Sequence, residues 1–380
     1  MDMEIRIRPF EKLKDSGMVE TLERSCEVGP STTLFTDMMG DPISRVRNCP
    51  HYTMLVAELQ GLIVGVIRGS IKTVLCTGGG GRGPVQAKVG YVLGLRVSRM
   101  HRRRGIGLRL VQCLEEWLVE NGAEYAYMAT DKDNVASVKL FTERCGYAKF
   151  RTPTVLVNPV CPYPKRIPSW VRVQKLRPDQ AETLYRQYMG SQSEFFPDDI
   201  DRVLRNELSL GTWIAYLRDE TWHGVLTGES PPSSWAVVSV WNSAGMFKLR
   251  VGNAPTGYAL CARGSAILAR ALSFLRLPFF PDVFRWFGFL FMYGLYMQGP
   301  SGGDLTRALC HWVHNFTAKR KDCRVVVTEL GALDSLRSHV PHKKSLSCQD
   351  LWCVKPLRAG GLDWARTHPP RTLFVDPREV

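Results

Sequence analysis

The residues most able to do chemistry crowd into RMHRRRGIGLRL, residues 99–110, where Arg99, His101, Arg102, Arg103, Arg104 and Arg109 surround a Gly-Ile-Gly step. Such a cluster attracts anions, and it can do so in two ways. Arginines spread over a surface neutralise the phosphates of a nucleic acid, with an affinity that falls steeply as salt rises. Glycines at the start of a helix act differently. The first backbone N–H groups of a helix have no intrahelical acceptor, and a residue without a Cβ lets a phosphate oxygen reach them.

The flanking elements separate these readings. GYVLGLRVS before the cluster reads as a strand, and after it Leu108, Val111, Leu114, Trp117 and Leu118 recur at helical spacing until Gly122. A strand, a basic Gly-x-Gly turn and an amphipathic helix in that order aim the helix macrodipole at a phosphate. Further elements are expected around this unit. EIRIRPF reads as a first strand, MVETLERSCEVG as a helix, and YTMLVAEL and LIVGVIRGSI as a hairpin closed by Gln60 and Gly61. CTGGGGRGPVQAKV reads as a surface loop and EYAYMATD as another strand. In KDNVASVKLFTERCGYAKF, Asp133 or Asn134 is the N-cap, Val135, Val138, Leu140 and Phe141 form the apolar face, and Gly146 ends the helix.

The pair of motifs RRRGIG, with Arg102, Gly105 and Gly107, and NVASVKLFTERCGY resembles the Gcn5-related N-acetyltransferases. These motifs cover residues 3–157. LERSCEVGP, SVKLFTERCGYAKFRTP, LSCQDLWCVKPL and LFVDPREV are similar, along the whole chain, to the plant HOOKLESS-type probable N-acetyltransferases. The resemblance implies an α/β (α+β) fold with a mixed central sheet, acetyl-CoA (coenzyme A) as cofactor, and an amine acceptor that attacks the thioester directly in a ternary complex. It places backbone donors at Leu95, Arg96 and Val97. The pyrophosphate would lie on the amides of Arg102, Arg103, Arg104, Gly105, Ile106, Gly107 and Leu108, with Asn134, Ser137 and Phe141 beside the pantetheine end. Protein or histone lysines are among the acceptors it suggests, with a role in plant growth in the nucleus or cytoplasm. The alternatives are a non-catalytic acyl-CoA-binding regulatory or scaffold protein and, as a minor one, nucleic-acid binding.

Acetyl transfer needs the thioester carbonyl beside a neutral amine, with hydrogen-bond donors aimed at the oxygen that becomes negative. A lysine-type amine titrates near about 10.4, so a base must take its proton. Family members that act on histones keep a glutamate in the strand before the phosphate turn. Here Tyr91 stands at that place and no carboxylate occurs from Val89 to Arg99, which leaves Glu58 and Glu27 as further candidates. The family usually has a tyrosine where Phe141 stands, and phenylalanine has no proton for the departing sulfur. A missing general acid costs about 100- to 10,000-fold.

At 380 residues, with a net charge of +14 and a pI near 9.4, the chain is long enough for two domains and suited to an anionic ligand. The eleven cysteines lack a repeated spacing, which points to a reducing compartment, and the charged start does not read as a secretory leader. The expected organisation is a cofactor domain over 1–157, a proline-rich link over 158–169, and a second, degenerate acetyltransferase-like domain over 170–380. VRVQKLRPDQAETLYRQYMG repeats the opening strand and helix. Aligning Gly302 with Gly107 brings Leu305, Leu309 and Trp312 onto Leu110, Leu114 and Trp117, but Gln298, Gly299, Pro300 and Ser301 replace the arginines. The apolar run from Trp286 to Met297 is too short to span a bilayer and reads as core. His339, His342, Cys348 and Cys353 lack zinc-ligand spacing, so no metal is expected.

Overall fold

The computed structural model describes residues 5–26, 34–76, 85–224, 231–252, 283–358, 364 and 372–380. The first half contributes strand β1 (Arg6–Pro9), helix α1 (Lys12–Ser25), the hairpin β2 (His51–Leu59) and β3 (Leu62–Cys76), strand β4 (Val85–Val97), helix α2 (Ile106–Glu120), strand β5 (Tyr125–Asp131) and the short helix α3 (Val135–Lys139). Neighbouring strands run antiparallel except β4 and β5, which are parallel. The hairpin closes as expected, with Gln60 at φ 52° and Gly61 at φ 80°, the left-handed pair that matches strand twist. Two expectations are corrected. β4 begins at Val85, inside the stretch read as loop, because Gln86 to Val89 already ladder onto β3. Val135 is 61% exposed and lies outside the core.

After β6 (Thr154–Pro159) the plan repeats: β7 (Val171–Leu176), α4 (Pro178–Tyr188), β8 (Ser209–Leu217), β9 (Trp235–Asn242), β10 (Gly288–Gln298), α5 (Gly302–Ala318) and β11 (Cys323–Leu330), followed by β12 (Cys348–Pro356). Again all neighbours are antiparallel except the pair β10 and β11. The two copies then exchange strands. β12, from the second half, pairs with β5, while β6, from the first, pairs with β11, and β12 and β6 meet in the middle. The result is one sheet in the order β1-β2-β3-β4-β5-β12-β6-β11-β10-β9-β8-β7. The order reads as two mirrored runs joined at the exchanged strands.

Each long helix covers one face of its own run. Leu110, Leu114 and Leu118 of α2 are fully buried, and glycines of the sheet make room for them: a Cβ on Gly69 would lie 2.5 Å from Leu114 and one on Gly90 2.4 Å from Leu118. Burying each leucine stabilises the fold by about 1.5–3 kcal/mol. Leu305, Leu309 and Val313 do the same on α5, in the register read from the sequence. The opposite face carries an aromatic core shared by both halves, including Tyr91, Tyr127, Phe195, Trp352 and Phe374. The apolar run after Trp286 is the buried strand β10. Among the described residues no helix is long and apolar enough to cross a membrane.

Candidate acyl-CoA site

The parallel pair β4 and β5 is the centre of the site. The two strands pair from Val89–Tyr125 to Val92–Met128 and no further, although β4 continues to Val97 and β5 to Asp131. The cause lies on the other side of β4. Its register against β3 slips between Leu93 and Arg96, around Gly94 at φ 63°, a left-handed bulge that only glycine adopts readily. The slip also turns the strand over. Val92 packs towards α2 before it and Leu95 and Val97 after it, while Arg96 points to Glu23 on α1. Leu95, Arg96 and Val97 thus border a gap in which the edge of β4 has no ladder partner, the setting in which backbone N–H groups can face a developing oxyanion.

The basic turn lies at the end of this gap. Arg103 and Gly105 are both left-handed, at φ 62° and 77°, and the first intrahelical bond runs from Arg109 N to Gly105 O at 3.0 Å. The amides of Ile106, Gly107 and Leu108 therefore lack intrahelical acceptors. Arg102, Arg103, Arg104 and Gly105 are exposed, and nothing lies within 4 Å of where a Cβ on Gly105 would be. At Gly107 the nearest side chains are Leu140 at 3.6 Å and Leu95 and Val97 at 3.8 Å. Asn134 caps α3 by accepting from Ser137 N at 3.2 Å. Phe141 is placed away from the groove: a wide turn, with Cys145 N bonded to Leu140 O, carries it into the core, where it is 2% exposed and edge-on to Tyr147 at 5.2 Å. Leu140 reaches the turn in its stead.

The candidate bases lie in three different places. Glu58, on β2, is held by Arg8 at 2.7 Å, and that bond keeps its carboxyl below the ordinary range. It sits two strands from β4. Tyr91 does face the sheet side opposite α2, but it is 8% exposed and packed at a tilt against Tyr127, 4.8 Å between ring centres, and burial pushes its hydroxyl far up. Glu27 lies outside the described residues. On that same face the exchanged strand β12 and its neighbour in the second half bring two carboxyls that the sequence did not suggest. Asp350 on β12 stands opposite Asp131 of β5, and burial together with Asp131 pushes it up to about 6. Glu329 on β11 accepts from Trp352 Nε1 at 3.0 Å, and burial followed by the charge of Asp350 raises it well above the usual range. Both are half-buried and influence Tyr91. Asp350 falls within LSCQDLWCVKPL, so the one signal available was the similarity of that segment, which carried no role for it.

The second copy has the same gap and closes it. Gly294, at φ 60°, is the bulge on β10, the register slips between Tyr293 and Tyr296, and pairing with β11 ends at Phe291–Val327. There the Thr328 hydroxyl donates across to Met292 O at 2.8 Å, and the tail residues Thr372 to Val375 line the space. The turn into α5 is reduced to 299–301. A Cβ on Gly299 would fall 2.2 Å from Ser233 O, and one on Gly303 2.2 Å from the His339 ring. Neither glycine has the open space found at Gly105.

A family model described as the acetyltransferase (GNAT) family matches residues 18–147. A probable N-acetyltransferase HLS1-like of Arabidopsis thaliana is 45% identical over the whole of both chains. This chain belongs to the GNAT N-acetyltransferases. The probable N-acetyltransferase HLS1 of the same plant is 47% identical over 98% of this GNAT chain and 99% of its own. The acetyl transferase GW6a of Oryza sativa subsp. japonica is 38% identical over 100% and 98%. Among solved structures, Saccharomyces cerevisiae N-myristoyltransferase with bound myristoyl-CoA covers 98% of this chain and 88% of its own at 11% identity and a TM-score of 0.56, which bears on the fold. Membership of the GNAT family implies an acyl-CoA cofactor.

Proposed function

We propose that this GNAT enzyme uses acetyl-CoA as donor and acetylates a primary amine, on a protein or a smaller molecule, by direct attack. The observation that carries this reading is the contrast between the open gap at Gly94 with its left-handed turn and the filled one at Gly294. Acetyl-CoA supplies the activated acyl group. Amides of Ile106 to Leu108 and the arginines around them bind its phosphates, and the unpaired edge at Leu95 to Val97 polarises the carbonyl. The Asp350–Glu329 pair takes the proton of the acceptor ammonium, a task suited to a carboxyl that titrates near the working pH. With Phe141 buried in the core, the departing sulfur collects its proton from water. A thiol titrates near about 8.5 and leaves without strong acid assistance.

Gly105→Trp tests the reading. Its ring would fill the empty space over the turn, so calorimetry should show acetyl-CoA affinity reduced at least about 100-fold and transfer of labelled acetyl lost with it. Wild-type protein that fails to bind acetyl-CoA would overturn the proposal. A binding protein without turnover is the second reading, and the inward position of Phe141 favours it. Saturable acetylation of any amine excludes it.

A further inference from the structure

The face of the sheet where the acceptor must sit has two poles. On one side of Tyr91 lie Asp131, Asp350 and Glu329. On the other lie three arginines from three elements: Arg45 from the segment before β2, Arg68 from β3 and Arg96 from the bulged end of β4. Among the described residues one carboxylate, Glu23, answers all three. It binds Arg68 Nη1 at 2.7 Å and lies 3.4 Å from Arg96 Nε. Burial would raise Glu23, but Arg68 and Arg96 outweigh it and hold it ionised.

Arg68 has a structural task. It is fully buried, donates to Pro42 O at 2.8 Å and reaches the bulge carbonyl of Gly94 at 3.5 Å. Arg45 and Arg96 are half-buried. Arg45 Nε, Arg68 Nη2 and Arg96 Nε are buried with no hydrogen-bond partner among the described residues. Leaving charged donors unpaired in this way costs more than leaving neutral ones. The crowding is visible at Arg45, which burial, then the neighbouring Arg68 and Arg96, push down to about 10. From the second half, the Phe247 ring lies under Arg45, at 5.1 Å.

We infer that the acceptor amine carries a carboxylate, received by Arg45 and Arg96 while its ammonium lies against Asp350 and Glu329. The inference rests on the acetyltransferase reading and names the acceptor class for it. A carboxylate supplies the partner that these planar guanidinium groups lack among the described residues. A run of lysines and arginines would meet Arg45 and Arg96 with like charge. The carboxylate has two sources, the α-carboxylate of a free amino acid and an acidic side chain beside a target lysine in a peptide.

The test uses the full chain with matched acceptors: lysine against lysinamide, and a lysine peptide flanked by glutamates against the same peptide with glutamines. For each pair, kcat/KM is read with labelled acetyl-CoA, and Kd is read by calorimetry with CoA present, so that a chain that binds without turnover is also tested. The carboxylate member of at least one pair should be preferred about 10- to 100-fold, through KM and Kd. The pair that shows the preference identifies the source. Arg45→Gln should bring that ratio towards one, and Arg45→Lys should restore part of it. Equal use of both members by the wild type, or preference for the amides, overturns the inference even if Arg45→Gln fails to fold. Equal use with acetyl-CoA binding intact leaves the transferase reading standing. Loss of acetyl-CoA binding overturns both.

Discussion

The gaps at Gly94 and Gly294 are the same backbone feature put to opposite uses. Both strands carry a left-handed glycine, both slip register by the same pattern, and both stop pairing with their parallel neighbour just before that glycine, at Val92 and at Phe291. The bulge is therefore a property of the fold and does not by itself make a cofactor site. What differs is what comes next. In the first copy residues 98–105 form a long turn with open space over Gly105, whereas in the second three residues and the His339 ring close the helix end. Residues 372–375 then line the space beside the second gap. On the proposed reading, an acyl-CoA site in this fold is a bulge left empty, next to a turn left long.

That contrast can be broken at several points. The largest effect is expected at Asp350, which has a reactive gap beside it only in the first copy. As a base it must be ionised, so kcat/KM should fall as pH drops through about 6. Asp350→Asn should remove this limb and lower the rate about 100- to 10,000-fold, measured by acetyl transfer across a pH series. Matched glycine changes give a smaller and more discriminating effect. Gly107→Ala meets only ordinary contacts at 3.6–3.8 Å, so stability should hold while acetyl-CoA affinity falls about 10-fold, because a methyl group now stands at the phosphate approach. Gly303→Ala must displace His339 and should lower stability by about 1–3 kcal/mol with acetyl-CoA affinity unchanged, seen by paired calorimetry and thermal melts.

The effect furthest from the two gaps concerns the fastening of the proline-rich link to the second copy. His314 is fully buried and its Nε2 accepts from Cys161 N at 3.0 Å, and burial pushes it down to about 4. The unfolded chain protonates this imidazole near about 6.5 while the folded one does not. Its stability contribution is therefore complete above about 6.5 and lost as pH falls towards 4, by up to about 3 kcal/mol. Urea titrations from pH 7 to 4 should show the decline. His314→Gln should flatten it.

Much of the first copy could be read from residue types. Gly105 and Gly107 between a strand and an amphipathic helix, Asn134 as a cap, and the leucine register shared by α2 and α5 all follow from local periodicity and local hydrogen bonding. The missing pieces depend on distant partners. Nothing in TVLVNP or CQDLWCVKP says which sheet each strand joins, since a short β segment satisfies its backbone equally well on either edge. Asp350 could not be placed beside the gap without that knowledge. Glu58 looked free because Arg8, fifty residues earlier, is its partner. Helical spacing put Phe141 on the apolar face, where the wide turn does bury it; its place beside the pantetheine was implied by the family resemblance alone.

The exchange of β6 and β12 also governs how the molecule can be made. β5 stands next to an open edge until residues 348–356 have been synthesised, and β11 can close only over a strand completed long before it. Neither copy can finish its sheet while the ribosome holds the other. Topology of this kind, with its most central pairings far apart in sequence, folds slowly and late. A fragment ending near residue 157 would keep the phosphate turn and expose the bare side of β5 to other chains. Chain length here is a condition for a first foldable unit, not an addition to one.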